Sequence, residues 1–243
     1  MNRLFKQAVS MTLAFVMVLG LTFTGMPAFA EDSNEDAGLL QLQTLEPITL
    51  LAGNSTWKYL DNGTDQGSVW RSVYDDSTWA SGQAPLGYKD SGAGVSSKQF
   101  GALNTNISYG SDKKKKYRTS YFRTNVTVNK EEITKSDKVL GNFAFDDGVV
   151  LYLNGAEIYR EAMPAGEIDY QTLSTTNGSD PNEYTKVDLT EIVKANLKDG
   201  SNELSAEVHQ TGDTSSDLYW DMSLIAYPVV ETVEPGVGKP DSI

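Results

Sequence analysis

Residues 141–160, GNFAFDDGVVLYLNGAEIYR, decide the fold. They read as three antiparallel strands joined by two tight turns. Asp146-Asp147-Gly148 suits a three-residue hairpin loop whose last position needs positive φ, where glycine has no Cβ to clash. A loop of that length predicts Phe145 opposite Val149, Phe143 opposite Leu151 and Gly141 opposite Leu153. Asn154-Gly155 tolerates both positive φ angles of a type I′ turn, and it predicts Leu153 opposite Ala156 and Leu151 opposite Ile158. Both turns place Phe143, Phe145, Leu151, Leu153 and Ile158 on one face, the candidate core.

Outward from this stretch, residues 117–129, YRTSYFRTNVTVN, alternate as a strand. Phe122, Thr124, Val126 and Val128 share one face, and Tyr121, Arg123 and Asn125 the other. A charged turn leads from that strand into the meander. Downstream, Tyr184 to Leu189 alternates again and runs into one helix, from Leu189 to about Leu197. Asp188 is its N-cap, Glu191 completes a capping box, Leu189, Ile192, Val193 and Leu197 form the buried stripe, and Gly200 sits at C′. Residues 202–210 point Leu204, Ala206 and Val208 inward. Residues 218–227 point Leu218, Trp220, Met222 and Leu224 inward and Asp221 and Ser223 outward.

Before residue 117 the signal is weaker. Short strands are expected at 48–51 and 57–61. The segment 69–79, VWRSVYDDSTW, is expected to be irregular or one helical turn, plugging one end of the sandwich beside Val73 and Tyr74. Its two tryptophans suit either the core or a sugar-stacking platform. Residues 89–116 form the least structured part, and the run Lys113 to Lys116 is either a solvated loop or a contact for an anionic polymer. About eight strands against one short helix give an all-β fold, an antiparallel jelly-roll β-sandwich.

Residues 1–30 stand apart: Arg3 and Lys6, an apolar run at 13–21 and Ala28-Phe29-Ala30 make a secretory signal peptide. Its removal takes two positive and no negative charges, so the net charge moves from −13 to −15. Such a balance argues against nucleic acid and anionic membrane as partners. The chain has no cysteine, so neither a disulfide nor a lipid-attachment thiol is available. A flexible acidic leader is expected at 31–46, the sandwich at 47–230, and a Pro/Gly-rich linker or the start of a further domain at 231–243. The expected address is extracellular.

Six short motifs occur in order: Asp75 to Trp79, Pro85 to Tyr88, Tyr121 to Arg123, Asp146 to Gly148 with Tyr152 to Gly155, Gly200 to Leu204, and Glu207 to Gln210. Together they resemble the galactose-binding-like β-sandwich modules, above all the module ahead of calcineurin-like phosphoesterases of the purple acid phosphatase type. They are more distantly similar to the sugar-binding domain of family 2 glycoside hydrolases. The resemblance covers about Trp57 to Tyr227. It implies a non-catalytic module that binds carbohydrate or cell-wall polymer, or a spacer for a secreted enzyme. The final Lys239 to Ile243 is similar to the start of the next domain in such phosphatases. The alternative is therefore the front fragment of a metallophosphoesterase, with its catalytic domain beyond Ile243.

The residues themselves carry little chemistry. A two-metal phosphoesterase site needs several His, Asp and Asn ligands, and this chain has one histidine. Nucleophilic motifs are missing as well. The carboxylate pairs Asp75/Asp76 and Asp146/Asp147 are explained by turn formation. Among metals, a structural calcium suits the oxygen-rich Asp loops, and modules of this kind often carry one, although no ligand set can be assigned. His209 is expected to be a hydrogen-bonded structural residue. If a ligand binds, the candidate residues are Trp70, Trp79, Tyr88, Asp146, Asp147, His209 and Asp217, which mix flat aromatic surface with acceptors for sugar hydroxyls.

Overall fold

A computed structural model describes residues 46–90, 102–176 and 184–229. The expected signal peptide, nearly all of the acidic leader, the centre of the 89–116 loop and the tail from 231 lie outside the described residues. The strands in chain order are β1 (Ile48–Leu51), β2 (Thr56–Leu60), β3 (Ala80–Gln83), β4 (Leu86–Lys89), β5 (Thr105–Asn106) and β6 (Thr119–Val128). They continue with β7 (Lys138–Asp146), β8 (Gly148–Leu153), β9 (Ala156–Glu161), β10 (Thr185–Asp188), β11 (Gly200–His209) and β12 (Asp217–Tyr227).

These strands form two six-stranded sheets. Sheet A runs β10-β7-β12-β4-β5, with β1 also on β12, and sheet B runs β3-β2-β6-β11-β8-β9. All described pairings are antiparallel except β4 with β5. The fold is an all-β sandwich. Its main core lies between the sheets, where Phe122, Phe143, Phe145, Leu151, Leu204, Val208, Trp220 and Met222 are fully buried. The Trp57 and Trp220 rings meet edge to face at 5.4 Å.

The decisive stretch behaves differently from its expected meander. β7 belongs to sheet A and β8 to sheet B, so Asp146-Asp147-Gly148 is a crossing between sheets and not a hairpin loop. The expected pairs across it do not form: Phe143 lies opposite Met222 and Thr185, and Leu151 opposite Ala206. The peptide between Asp146 and Asp147 is cis, and Gly148 does not adopt positive φ. Glycine is needed there for room, since a Cβ at 148 would lie 2.5 Å from Met163 Sδ and 2.9 Å from the Ala162 carbonyl. The shared apolar face nevertheless holds, because both sheets present their alternate residues to one core. Phe143, Phe145, Leu151 and Leu153 are fully buried and Ile158 nearly so.

The second turn is as expected, with Asn154 at φ 54° and Gly155 at φ 91° and Leu153 opposite Ala156. A register shift between Leu151 and Tyr152 then sets Leu151 opposite Tyr159 instead of Ile158. Where a charged turn was expected, a short helix α1 (Lys130–Thr134) forms, its Glu131 amide capped by Asn129 Oδ1 at 3.0 Å. Helix α2 (Thr190–Asn196) begins one residue later than expected. Asp188 still accepts from the Thr190 amide, at 3.1 Å. Leu189, Val193 and Leu197, four residues apart, face the core, whereas Ile192 is 40 % exposed and leaves the stripe. Gly200, at φ +80°, opens β11 and does not cap α2.

The outer face of sheet B is covered as well. A 3-10 turn at Val69–Arg71 and the segment 162–176 lie over it. Trp70, Trp79, Tyr121, Val150, Tyr152, Ile168 and Tyr170 form a second cluster beneath them. Val73, expected beside the tryptophans, is almost wholly exposed. At the other end of the chain's expected lysine loop, Lys116 is buried, paired with Asp90 at 2.7 Å and set over the rings of Tyr88 and Tyr109.

Candidate functional site

Strict alternation in β11 sends Leu204, Ala206 and Val208 to the core and Glu203, Ser205, Glu207 and His209 to the outer face of sheet B. From Ser205 to His209 that polar row is sealed beneath the covering segments, where buried polar groups are ordinarily hydrogen-bonded. Glu207 Oε1 accepts from the Tyr152 hydroxyl at 2.6 Å and from Arg71 Nη2 at 3.2 Å. The Arg71 guanidinium lies 4.6 Å from the centre of the Tyr152 ring. Its Nη2 also donates to the Ile168 carbonyl at 3.0 Å. The Thr119 hydroxyl donates to the Tyr170 carbonyl at 2.8 Å.

His209 is fully buried, and its Nδ1 lies 2.8 Å from the Thr172 carbonyl, which can only accept. Nδ1 is therefore the protonated nitrogen. Nε2 lies 3.3 Å from Glu207 Oε2, an ion pair whenever the ring is doubly protonated. Arg71, Thr119 and His209 thus hold three alternate carbonyls, those of residues 168, 170 and 172, and peg the segment 162–176 onto the sheet. A second charged group lies further along the same face. Arg123 bridges Asp76, at 2.9 Å, and Glu203, at 3.0 Å, while Lys58 also reaches Asp76. Burial pushes the Glu203 carboxyl up to about 7, against the pull of Arg123.

The pegged segment and the 3-10 turn frame an open groove of about 410 Å³. Its walls are Asp65, Gly67, Ser68 and Arg71 on one side and Gly166 to Asp169 on the other, with Tyr152, Glu157 and Arg160 contributed by β8 and β9. Arg160 closes a two-pronged pair on Glu157, at 2.8 and 2.6 Å, and Nη1 donates to the Pro164 and Gly166 carbonyls. Arg71 Nε is buried and has no acceptor. Asp65, Glu167 and Asp169 are exposed. The arrangement offers many hydrogen-bonding groups on a fixed frame. A smaller groove of about 270 Å³ lies over Lys58, Asp76 and Arg123.

The seven residues expected to bind a ligand are each at most 7 % exposed, and none lines either groove. Trp70 and Trp79 are packed into the second cluster, with the Trp70 and Tyr121 ring centres 4.7 Å apart and Trp70 Nε1 bonded to the Gly67 carbonyl. His209 pairs with Gly148 through the backbone but turns its ring to the outer face. Tyr88, Asp146, Asp147 and Asp217 come together at one end of sheet A, where β4, β7 and β12 run side by side.

In that acidic group, Asp147 Oδ2 accepts from the Thr211 amide and hydroxyl and from the Ser215 hydroxyl, at 2.8 to 3.0 Å. Burial, aided by hydrogen bonding to Asp147 and by the Asp147 and Asp217 charges, pushes the Asp146 carboxyl up to about 10. Asp146 therefore carries a proton at neutral pH and shares it with its neighbours. Among the described residues no group of three or more His, Cys, Asp or Glu side chains is arranged to hold a metal ion.

Sequence reasoning missed Arg71, Glu157, Arg160, Glu167 and Glu207. Glu203, Ser205, Glu207 and His209 do alternate in the sequence, but a polar row on one strand face ordinarily means solvent. The arginines that complete the site come from 132 residues upstream of Glu203, at Arg71, and from β9.

No family model matches the chain, and no curated protein sequence matches it. Solved structures do. A β-glucuronidase from Bacteroides uniformis aligns with a TM-score of 0.47 and 17 % identity, over 75 % of this chain and 18 % of its own. A β-glycosidase from Bacteroides vulgatus gives 0.41 and 19 %, over 74 % and 20 %. A β-glucuronidase from Ruminococcus gnavus gives 0.43 and 14 %, over 78 % and 31 %. The chain therefore spans between about a fifth and a third of those chains. None of these similarities supports the expected link to metallophosphoesterases.

Proposed function

We propose that this chain is a non-catalytic, secreted β-sandwich module that binds a glycan or cell-wall polymer in the groove on the outer face of sheet B. The groove carries the reading. It is of ligand size, its frame is pegged to the sheet by Arg71, Thr119 and His209, and its walls are rich in acceptors and donors for hydroxyl groups. The galactose-binding-like resemblance of the sequence points the same way. The groups best suited to catalysis are committed elsewhere. His209 is sealed and bonded, Asp75 holds the Ser77 amide, and Asp76 is paired with Lys58 and Arg123.

Glycan-array binding and retention on insoluble polysaccharide test this directly. The purified chain is expected to be retained, and Ser68→Trp, which puts bulk into the groove from an exposed wall position, is expected to abolish retention with melting unchanged. Failure to bind any polymer would leave a structural spacer beside another domain. Release of reducing ends or phosphate by the purified chain would overturn its non-catalytic part.

A further inference from the structure

We infer that the groove takes an uncharged saccharide and turns away the corresponding hexuronate, an inference that rests on the saccharide-binding reading above. An acidic sugar is ordinarily clamped by an arginine fork offering two parallel N–H groups to its carboxylate. Both arginines here are already engaged. Arg160 spends Nε and Nη2 on Glu157 and Nη1 on two carbonyls, and Arg71 spends Nη2 on Glu207 and the Ile168 carbonyl. The guanidinium of Arg71 also stacks on Tyr152, so that ring is not a bare platform.

What the walls offer is acidic. Asp65, Glu167 and Asp169 are exposed in the groove and make no ion pair among the described residues. Asp65 Oδ1 holds the Gly67 amide and Asp169 Oδ1 holds Gln171 and Thr172, which fixes both carboxylates in place. Fixed carboxylates accept strongly from neutral hydroxyls, each of which brings its own proton. A uronate arriving in the same position adds a like charge and no donor at its carboxylate. Arg71 Nε is buried without an acceptor, a single N–H suited to one ring or hydroxyl oxygen.

The decisive experiment is calorimetric titration of the purified full chain with matched pairs, such as galactobiose against digalacturonate and cellobiose against its diglucuronate counterpart. The neutral member is expected to bind at least about tenfold more tightly at low salt, with the gap narrowing at about 0.5 M salt as the repulsion is screened. The double variant Asp65→Asn, Glu167→Gln keeps the Asp65 loop bond and the side-chain shapes. It is expected to shrink the gap to about threefold or less, by weakening the neutral sugar and strengthening the uronate. A wild-type preference for the uronate, or a ratio unchanged in the double variant, overturns the inference while leaving the saccharide-binding reading intact. Binding of neither member of any pair overturns both.

Discussion

Along β11 the two faces of sheet B are equally buried and differently made. On β11 the inward Leu204, Ala206 and Val208 are fully buried, and so, within 1 %, are the outward Ser205, Glu207 and His209. The inner face is closed by another sheet and needs only volume and apolarity, which many side chains supply. The outer face is closed by irregular backbone, the 3-10 turn and the segment 162–176, whose carbonyls require donors. Polar side chains there supply them, so burial on that face depends on matched partners where burial on the inner face depends on area. The groove exists because backbone pegged at discrete points leaves space between the pegs, which interdigitating sheets do not.

The largest effect is expected from the inner face. Phe143 is fully buried and stacked on Tyr159 at 4.3 Å, and Phe143→Ala should lose about 3 to 5 kcal/mol in denaturant unfolding, through lost burial and a residual cavity. An unchanged midpoint would mean that β7 does not face the core.

Next comes the outer face, where Glu207→Gln leaves the Arg71 guanidinium without its carboxylate. A loss of about 2 to 4 kcal/mol is expected, because breaking a buried pair strands the remaining partner. Limited proteolysis should then cut preferentially within 162–176. A loss below about 0.5 kcal/mol would show the outer face to be incidental to stability and would collapse the contrast.

Two carboxyls, Asp146 at the end of sheet A and Glu203 on β11, are expected to respond to pH. Asp146 and Glu203 have folded pKa values raised above their unfolded ones, so the native state binds more protons than the unfolded chain. Their contribution is complete below about pH 4 and declines as pH rises, through about 7 for Glu203 and about 10 for Asp146. Melting temperature should accordingly fall between pH 5 and pH 9, by several degrees. Asp146→Asn mimics the protonated form and should flatten that decline, gaining about 1 to 3 kcal/mol at pH 8. A variant with the same slope as wild type would place the titration elsewhere. The smallest effect is expected at Val73, which is 95 % exposed; Val73→Ser should change stability by less than about 0.5 kcal/mol, and a larger loss would reveal a partner surface there.

Much of the fold was legible. Asn154-Gly155 specified its own turn because the positive φ angles are a local steric matter, and the inward rows of β6, β11 and β12 follow from period-two alternation alone. The candidate site was much less so. Four of its seven expected residues, Tyr88, Asp146, Asp147 and Asp217, do meet, but as a buried cluster. The tryptophans serve as packing, and Arg71, which lines the groove, carries no local motif.

By itself, the sequence determined which strand residues of β6, β11 and β12 face the core, that Asn154-Gly155 turns left-handed, and that one all-β core could form without disulfides, since those properties depend on neighbours a few residues away. Tertiary structure decided that Asp146 to Gly148 crosses between sheets and makes no hairpin. Phe143 and Phe145 satisfy their burial equally well against β8 in one sheet or across from it in the other, and the choice falls to pairing with the distant β10 and β12. It also decided that the polar row of β11 is sealed: Glu207 and His209 lose their water only when Arg71 and the carbonyls of residues 168–172 arrive from elsewhere in the chain to replace it.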